Sequence, residues 1–353
     1  MLHSSEILPL PDWAGELRQH KTQGNSVSQP ATKNTSKWNF DFQEKNQSTC
    51  FEESSQTASK QFFIKRILTD LHHWGHPQDC PHNQNSHHFS TPQADLVGST
   101  TYGGPGSKYI NINEDSFFFG INSNQKTIAG VIDGAGGSQN GYLAGSLANR
   151  TISHQLLQGQ GFDTAFETAD KILQLSAHGG YATGVSVMIS RDLHVEIGNK
   201  GDARALTIRQ GAILKVGTSV IQSEVARKIR EGHLPAHAIH TSDRKNIIYC
   251  AIGKDDGRHA QTAFKGRPGD IVILGSDGLF DLVSDYEILC LSDKYKTMEL
   301  HQELNKLAYQ RNNSTTPFTI KLSPHESHIL PPLYIENQRQ YGDNITIMVV
   351  ELK

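Results

Sequence analysis

Five segments of the sequence place acidic side chains at or beside the end of an apolar run. In chain order these acids are Glu114 and Asp115, Asp133, Asp202, Asp277 and Asp281, and Asp343. A lone carboxylate buried at the end of a core strand is unfavourable by several kcal/mol unless an opposite charge compensates it. Because all five segments share this pattern, we expect their carboxylates to meet at one cation site.

The residue types indicate which cation this site would take. Carboxylate oxygens favour hard divalent ions such as Mg²⁺ or Mn²⁺, and no His or Cys stands at a matching place to suggest zinc. Asp277 and Asp281 are four residues apart, so a helical turn that starts at Asp277 points both carboxylates the same way. Gly134 has no side chain, and its carbonyl can approach an ion closely. Each motif alone also fits a turn, a helix cap or a hairpin connection, but the whole set favours metal binding.

The elements that must position these acids are mainly strands. Apolar runs bounded by Gly, Asn or Asp predict strands at TIAGVID (127–133), ATGVSVMIS (182–190), LHVEIGN (193–199), ARALTIRQGAILKV (203–216), IVILGSD (271–277) and NITIMVVELK (344–353). Helical periodicity is present at 141–159, 162–179 and 222–232. Strands outnumber helices and several follow one another directly, which favours an α+β fold with antiparallel sheets over a doubly wound one. The Pro- and Asn-rich stretch 309–340 is predicted to be a long loop.

The composition of the chain changes near residue 95. Residues 1–95 are rich in Ser, Gln, Asn, Thr and His, so we predict a low-complexity, poorly ordered region with a short amphipathic helix at 60–74. Residues 96–353 are predicted to form one globular domain that carries all of these acids. The His-rich stretch 71–88 contains Cys80, which leaves a zinc site open, but without a characteristic ligand spacing a solvated linker is favoured.

Bulk properties exclude several functional classes. The formal net charge of -3 gives no footprint of a general nucleic-acid binder. The 4 cysteines form no CxxC pair, which favours a reducing compartment. The amino terminus lacks the pattern of a signal peptide, and no apolar run reaches the length of a membrane span. We therefore expect a soluble cytoplasmic protein, or one delivered to another cell by a non-classical route.

The motifs in this order resemble the metal-dependent protein phosphatases, the PPM or protein phosphatase 2C family, and bacterial members in particular. They are NED at 113–115, DGAGG at 133–137, Ala182-Thr183, GDAR at 201–204, SDGLFD at 276–281 and GDN at 342–344. The resemblance covers about residues 100–353. It implies a β-sandwich of two antiparallel sheets flanked by helices. It also implies a flap, here residues 217–250, beside the active site.

The resemblance also implies roles for individual residues. Two catalytic Mg²⁺ or Mn²⁺ ions would be held by Asp115, Asp133, the Gly134 carbonyl, Asp277 and Asp343, with Asp133 as the bridge, and a weaker third ion by Asp202, Asp277 and Asp281. Glu114 would act through water, and Asn344 would orient the Asp343 loop. A hydroxide that bridges the two ions would attack the phosphorus of phosphoserine or phosphothreonine.

Two positions depart from the family pattern. The family usually has a phosphate-binding arginine four residues before the Glu of NED, but this chain has Ile110 there. The nearest cation is Lys108, which strand alternation puts on the same side and which can bind phosphate only as a point charge. Eukaryotic members have His in DGHGG as a proposed proton donor, where this chain has Ala135.

Three functions fit these residues. The first is a monomeric Mg²⁺- or Mn²⁺-dependent phosphatase that acts on phosphorylated proteins. The second is a regulatory or binding module with the phosphatase fold and little or no turnover, which the residues at Ile110 and Ala135 motivate. The third is a phosphatase of small phosphorylated metabolites, which the same metal ligands would serve equally well.

Overall fold

The computed structural model describes residues 86–102, 113–135, 139–176, 179–254, 257–314, 316–322, 333–335 and 342–353. The predicted helix at 60–74 lies outside this part of the chain, as do Lys108 and Ile110. Within it, two antiparallel sheets stack face to face and helices cover their outer faces. The α+β prediction with a two-sheet sandwich is therefore confirmed.

Among the described residues, the first sheet has six strands in the order β1-β2-β13-β10-β7-β8. Their bounds are β1 His87–Ser90, β2 Ala94–Thr101, β7 Arg204–Arg209, β8 Ala212–Ile213, β10 Ile271–Gly275 and β13 Ile345–Leu352. β10 lies between β7 and β13, and all of its residues are buried. Because both of its faces are covered, it reads as a continuous apolar run rather than an alternating one.

In the part of the chain that the structure describes, the second sheet has five strands in the order β3-β4-β5-β6-β9. Their bounds are β3 Ser116–Ile121, β4 Thr127–Ala135, β5 Tyr181–Ile189, β6 His194–Lys200 and β9 Ala260–Lys265. Phe117 and Phe119 of β3 point into the core between the sheets, whereas Phe118 points to the helices outside, as strand alternation requires. One continuous apolar core therefore joins the two sheets.

Helices cover both outer faces of the sandwich. Their bounds are α1 Gln139–Leu157, α2 Phe162–Leu175, α3 Glu224–Arg230, α4 Ala238–Thr241, α5 Asp277–Phe280, α6 Asp285–Ser292 and α7 Thr297–Asn312. α1 and α2 pack on the second sheet, and α5, α6 and α7 pack on the first. α2 buries Phe162, Phe166, Ala169 and Leu173 at helical spacing, which fixes its inner face. α3 and α4 belong to the flap.

Three sequence predictions need correction. The predicted boundary after residue 95 falls inside β2, and β1 pairs with β2 from His87 onward, so the sheet begins within the supposedly unordered region. For the same reason, the His-rich stretch 71–88 ends in a strand. The predicted loop at 309–340 contains the last residues of α7 and a two-stranded sheet, β11 Phe318–Ile320 with β12 Leu333–Ile335. Short or polar strands of this kind carry too weak a hydrophobic pattern to be recognised.

No helix in the described ranges is both long enough and apolar enough to cross a membrane.

Candidate active site

The candidate site lies at one end of the sandwich, where loops from both sheets meet. Asp115 directly precedes β3 and Asp133 lies near the end of β4, so both come from the second sheet. Asp277 follows β10 and Asp343 precedes β13, so both come from the first. Asp202 lies in the connection between β6 and β7, which passes from one sheet to the other.

Hydrogen bonds to both its backbone and its side chain hold Asp115 in place. Its backbone N–H donates to Oδ1 of Asn113 at 3.0 Å, and the Asn113 amide donates to the Thr100 hydroxyl at 2.8 Å. The hydroxyl of Ser276, the residue before α5, hydrogen-bonds to the Asp115 carboxylate. Only 3% of the Asp115 surface is exposed. The NED segment is therefore held against strands of the first sheet.

Asp133 takes its position from strand pairing. It lies opposite Thr183 in the antiparallel register of β4 with β5, and Gly134 lies opposite Ala182. A Cβ atom at Gly134 would lie 2.1 Å from the Gly141 carbonyl oxygen of α1, so only glycine lets strand and helix approach this closely. The DG pair thus fixes a carboxylate and brings the chain tightly against α1.

Asp277 begins α5 and Asp281 is the residue directly after it. The Asp281 N–H donates to the Asp277 carbonyl at 2.8 Å, which completes the helical turn that the spacing of the two acids predicts. A Cβ atom at Gly278 would lie 1.9 Å from the carbonyl oxygen of Asn344. α5 therefore packs backbone against backbone on the loop that carries Asp343.

Asn344 connects the loops that carry Glu114 and Asp343. Its side-chain oxygen accepts the Glu114 N–H at 2.9 Å, and its own N–H donates to Oδ1 of Asp343 at 2.9 Å. Asn312, the last residue of α7, makes two reciprocal hydrogen bonds with the Asp343 backbone, at 2.8 and 3.0 Å. The Asn344 arrangement agrees with an orienting role, whereas Asn312 was not found from the sequence because it lies 31 residues away.

The carboxylates perturb one another strongly. Burial, followed by the charges of Asp115 and Asp343, raises the pKa of Glu114 to about 8. Burial and four surrounding acids, Asp115 first among them, raise the pKa of Asp133 well above its usual range. Burial and the charge of Asp281 raise the pKa of Asp202 to about 6. This much unfavourable negative charge in one place indicates a site that positive charge must stabilise.

The residues present fit hard divalent cations by their chemistry. All of the acids supply oxygen ligands, which Mg²⁺ and Mn²⁺ prefer. Oε1 of Glu114 is buried without a hydrogen-bond partner among the described residues, as expected of an acceptor for an ion's water. Across the described ranges, no group of three or more His, Cys, Asp or Glu residues is already spaced to hold a metal ion.

Two cations near the site were not identified from the sequence. Lys245 of the flap lies with its Nζ 2.8 Å from Oδ2 of Asp281. Lys254 lies with its Nζ 3.8 Å from the ring centroid of Tyr181, and Tyr181 is paired with Ala135, two register steps beyond the pair of Asp133 and Thr183. Arg204 of the GDAR motif does not supply a positive charge to the acidic site, because its guanidinium forms an ion pair with Asp285 through two hydrogen bonds.

Comparison with curated proteins gives phosphatases. The chain is 26% identical over 195 residues to the serine/threonine protein phosphatase PstP of Mycobacterium tuberculosis, covering 50% of this chain and 35% of PstP. It is 27% identical over 217 residues to the protein phosphatase PhpP of Streptococcus pneumoniae, covering 55% and 86%. It is 25% identical over 197 residues to the probable protein phosphatase 2C 26 of Arabidopsis thaliana, covering 52% and 56%. The chain thus spans about a third of PstP and about half of the plant protein. No protein-family model matches it.

Comparison with solved structures gives the same fold. The serine/threonine phosphatase of S. agalactiae superposes with a TM-score of 0.57 at 20% identity, covering 74% of this chain and 100% of that one. The catalytic domain of PstP in complex with 2 manganese ions superposes with a TM-score of 0.56 at 19% identity, covering 74% and 98%. At these identities, the likeness establishes the fold and leaves the activity to be argued from the site.

Proposed function

We propose that this chain, which is related in sequence and in fold to the PPM serine/threonine phosphatases, is a Mg²⁺- or Mn²⁺-dependent phosphatase of phosphoserine and phosphothreonine in proteins. One observation carries the proposal. The acids of five separated motifs converge at one end of the sandwich, in the order and with the flanking residues of that family. Stability alone does not explain this acidic cluster, because buried carboxylates that repel one another destabilise a fold.

The residues that would hold two ions are Asp115, Asp133, the Gly134 carbonyl, Asp277 and Asp343. When bound, such ions supply an activated water and neutralise the charge on the phosphoryl oxygens. The chain's own contribution is orientation. Asn344 ties the loop of Glu114 to that of Asp343, Asn312 holds the Asp343 backbone, and strand pairing fixes Asp133. Rigid placement of this kind is the main protein contribution to phosphoryl transfer.

Glu114 has a separate role in this proposal. Its side chain lies beside Gly141, where a Cβ atom would come within 2.5 Å of Oε2, so α1 confines the carboxylate. The first of its oxygens, Oε1, is buried and accepts no hydrogen bond within the described chain. This arrangement suits a carboxylate that orients water at an ion rather than one that contacts the ion itself.

The proposal is tested by hydrolysis of p-nitrophenyl phosphate and of a phosphothreonine peptide. The wild-type chain and Asp277→Asn are assayed with Mn²⁺, with Mg²⁺ and with EDTA. We expect metal-dependent turnover that EDTA abolishes and that the variant loses by at least about 100-fold, the scale of a misplaced catalytic group. A folded variant with wild-type turnover, or activity that resists EDTA, would contradict the proposal.

The regulatory module remains a second candidate, because Ala135 offers no proton donor beside Asp133 and an arginine is replaced by Ile110. Lys108 is the predicted substitute for that arginine, and its role stays a prediction. A chain that binds Mn²⁺ but hydrolyses neither substrate would favour the regulatory module. The monomeric state and the cytoplasmic location likewise stay predictions from the sequence.

The third candidate, a phosphatase of small metabolites, differs only in what lies outside the ion site. Relative rates on the phosphothreonine peptide and on p-nitrophenyl phosphate separate the two. We expect a higher kcat/KM on the peptide, because peptide contacts beyond the phosphate add binding energy. Equal values on both substrates would favour the small-molecule candidate.

A further inference from the structure

A lysine at the rim of the candidate site has an aromatic ring as its partner instead of an acid. The Lys254 ammonium lies 3.8 Å from the ring centroid of Tyr181, and both side chains are partly exposed. Lys200 and Lys245 each pair with a carboxylate at 2.8 Å, whereas Lys254 forms no ion pair with an acid of the described ranges. A ring face attracts an ammonium but leaves its outward N–H groups able to bind an anion.

Strand pairing locates this lysine relative to the acids. Ala182 of β5 lies opposite Gly134 on one side, and on the other side it forms a bridge with Ile252 through two backbone hydrogen bonds of 2.7 and 3.0 Å. The chain at Ile252 therefore runs beside β5 towards the end of the sandwich where the acids converge, and Lys254 lies two residues further on. Two strand spacings separate its backbone from the strand that carries Asp133, which amounts to about 10 Å across the sheet.

The ring beneath the ammonium belongs to the face of the sheet that carries the acids. Val131 of β4 lies in the core between the sheets, and alternation puts Asp133 and Ala135 on the same face. Tyr181 is directly opposite Ala135, and side chains that lie opposite each other in a strand pair share a face. A substrate chain that leaves the acids across β5 therefore meets the Tyr181 ring and the Lys254 ammonium.

A buried ion pair fixes the backbone that carries Lys254. The Asp170 carboxylate of α2 accepts the Gly253 N–H at 2.9 Å and two hydrogen bonds from the Lys200 ammonium, at 2.8 and 3.0 Å. Gly253 has a φ of +95°, and a Cβ atom there would lie 2.8 Å from Cβ of Leu173, so only glycine fits. Because this backbone is already ordered, less entropy is lost when the lysine binds a ligand.

We propose that Lys254, held on the Tyr181 ring, binds an acidic side chain of the substrate about three residues from the phosphorylated residue, since an extended chain advances about 3.3 Å per residue. The inference rests on the proposed function and adds a substrate class to it, namely proteins with Asp or Glu flanking the phosphorylation site. Asp255 and Asp256 follow Lys254 in the sequence and lie outside the described residues. They enter the test as competitors for the ammonium.

The test compares two phosphothreonine peptides with Mn²⁺, one with Glu at that distance on both sides of the phosphothreonine and one with Gln at the same positions. The wild type should have a kcat/KM at least about threefold higher on the Glu peptide, within the range of an exposed ion pair. The difference should lie in KM, because the contact is made equally before and during reaction, and it should shrink as NaCl is added. Lys254→Met should remove the preference, Lys254→Glu should reverse it, and Lys254→Arg should keep it.

Each variant is judged by its ratio of kcat/KM on the two peptides, so a general loss of activity does not imitate the effect. The matched control is Lys265→Met, which should keep the wild-type ratio, because Lys265 pairs with Asp192 at 3.0 Å on the exposed surface. The combined variant Asp255→Asn and Asp256→Asn should also prefer the Glu peptide.

Three results would overturn the inference and leave the proposed function standing. They are equal kcat/KM of the wild type on the two peptides, a preference that Lys254→Met retains, and a preference that appears only when Asp255 and Asp256 are neutralised. The last result would show that these acids, rather than a substrate, take the ammonium. A wild type that hydrolyses neither peptide nor p-nitrophenyl phosphate with Mn²⁺ would instead overturn the proposed function, and the inference with it.

Discussion

Replacing Gly278 by alanine should separate two of the proposed metal ligands while leaving both carboxylates in the chain. An added Cβ atom would lie 1.9 Å from the Asn344 carbonyl oxygen, and real Cβ contacts essentially never fall below 3.0 Å. Either α5, which begins with Asp277, or the loop that carries Asp343 must therefore shift by about 1 Å. Overpacking of this kind destabilises a fold by about 1–3 kcal/mol.

The shift should cost more in activity than in stability. A displacement of about 1 Å can reduce turnover about 100-fold when it misplaces a catalytic group. We therefore expect Gly278→Ala to lose about 100-fold in Mn²⁺-dependent hydrolysis of p-nitrophenyl phosphate and to bind Mn²⁺ more weakly. Its unfolding temperature without metal should fall by about 2–12 °C, from the stated cost and about 2–4 °C for each kcal/mol.

The matched control is Gly161→Ala. A Cβ atom at Gly161 has no heavy atom within 4 Å, and its φ of -83° suits any residue. The control should therefore match the wild type in Mn²⁺ affinity, turnover and unfolding temperature. Wild-type turnover and Mn²⁺ affinity in a folded Gly278→Ala would refute the reasoning, because Asp277 and Asp343 could then move apart without consequence and would not share an ion.

Three further predictions concern the fold around the site. Arg311→Met should lower the free energy of unfolding by about 3–5 kcal/mol in chemical denaturation, because it leaves the buried Glu287 carboxylate without its two 2.7 Å hydrogen bonds from Arg311. The control Lys306→Met, at an exposed ion pair, should lower it by less than about 1 kcal/mol. Equal losses of stability in the two variants would contradict the prediction. Burial lowers the pKa of His301 to about 4, so the stability that the neutral ring confers is present above about pH 6.5 and is lost as pH falls towards 4. The free energy of unfolding of His301→Gln should therefore fall by up to about 3 kcal/mol less than that of the wild type over this pH range. An identical pH slope would contradict the assignment. Removal of residues 1–85 should leave the hydrolysis of p-nitrophenyl phosphate nearly unchanged, because the strands described for the sandwich begin at His87. Loss of folding would show that this segment is needed.

The sequence singles out the acids of the candidate site because their positions follow from local rules. An apolar strand that stops at an aspartate and continues into Gly or a helical turn is visible within about ten residues. The convergence of Asp133 and Asp277 follows from the same rules, once the strands are placed in two stacked sheets. The resemblance to the phosphatase family then assigns each acid a place at the proposed ion site.

The contacts that position these acids are long-range and escape such rules. Asn312 binds the backbone of Asp343 from the end of a helix that the sequence analysis placed partly in a loop. Lys245 reaches Asp281 from 36 residues away, and neither residue has a local pattern that names the other. Pairing across such distances depends on how the chain packs, which periodicity does not encode.

The domain boundary was wrong for a different reason. β1 has the sequence HHFS and lies at the edge of the six-stranded sheet, where only alternate residues are partly buried. Edge strands carry polar residues that discourage pairing with other molecules, so they resemble a linker in composition. The composition change therefore marks the first strongly apolar strand rather than the first strand of the sheet.

Because loops from both sheets converge on the proposed ion site, bound ions would connect the two sheets of the sandwich. Asp115 and Asp133 belong to one sheet and Asp277 and Asp343 to the other, so ions held by these four acids would join the two layers at the end where the negative charges repel one another. An ion of this kind would bind the folded chain and not the unfolded one. At a free ion concentration 100 times its dissociation constant, it would add about 2.7 kcal/mol to the free energy of unfolding. The unfolding temperature should consequently rise with Mn²⁺ and fall with EDTA, which gives a measure of ion binding that needs no phosphorylated substrate.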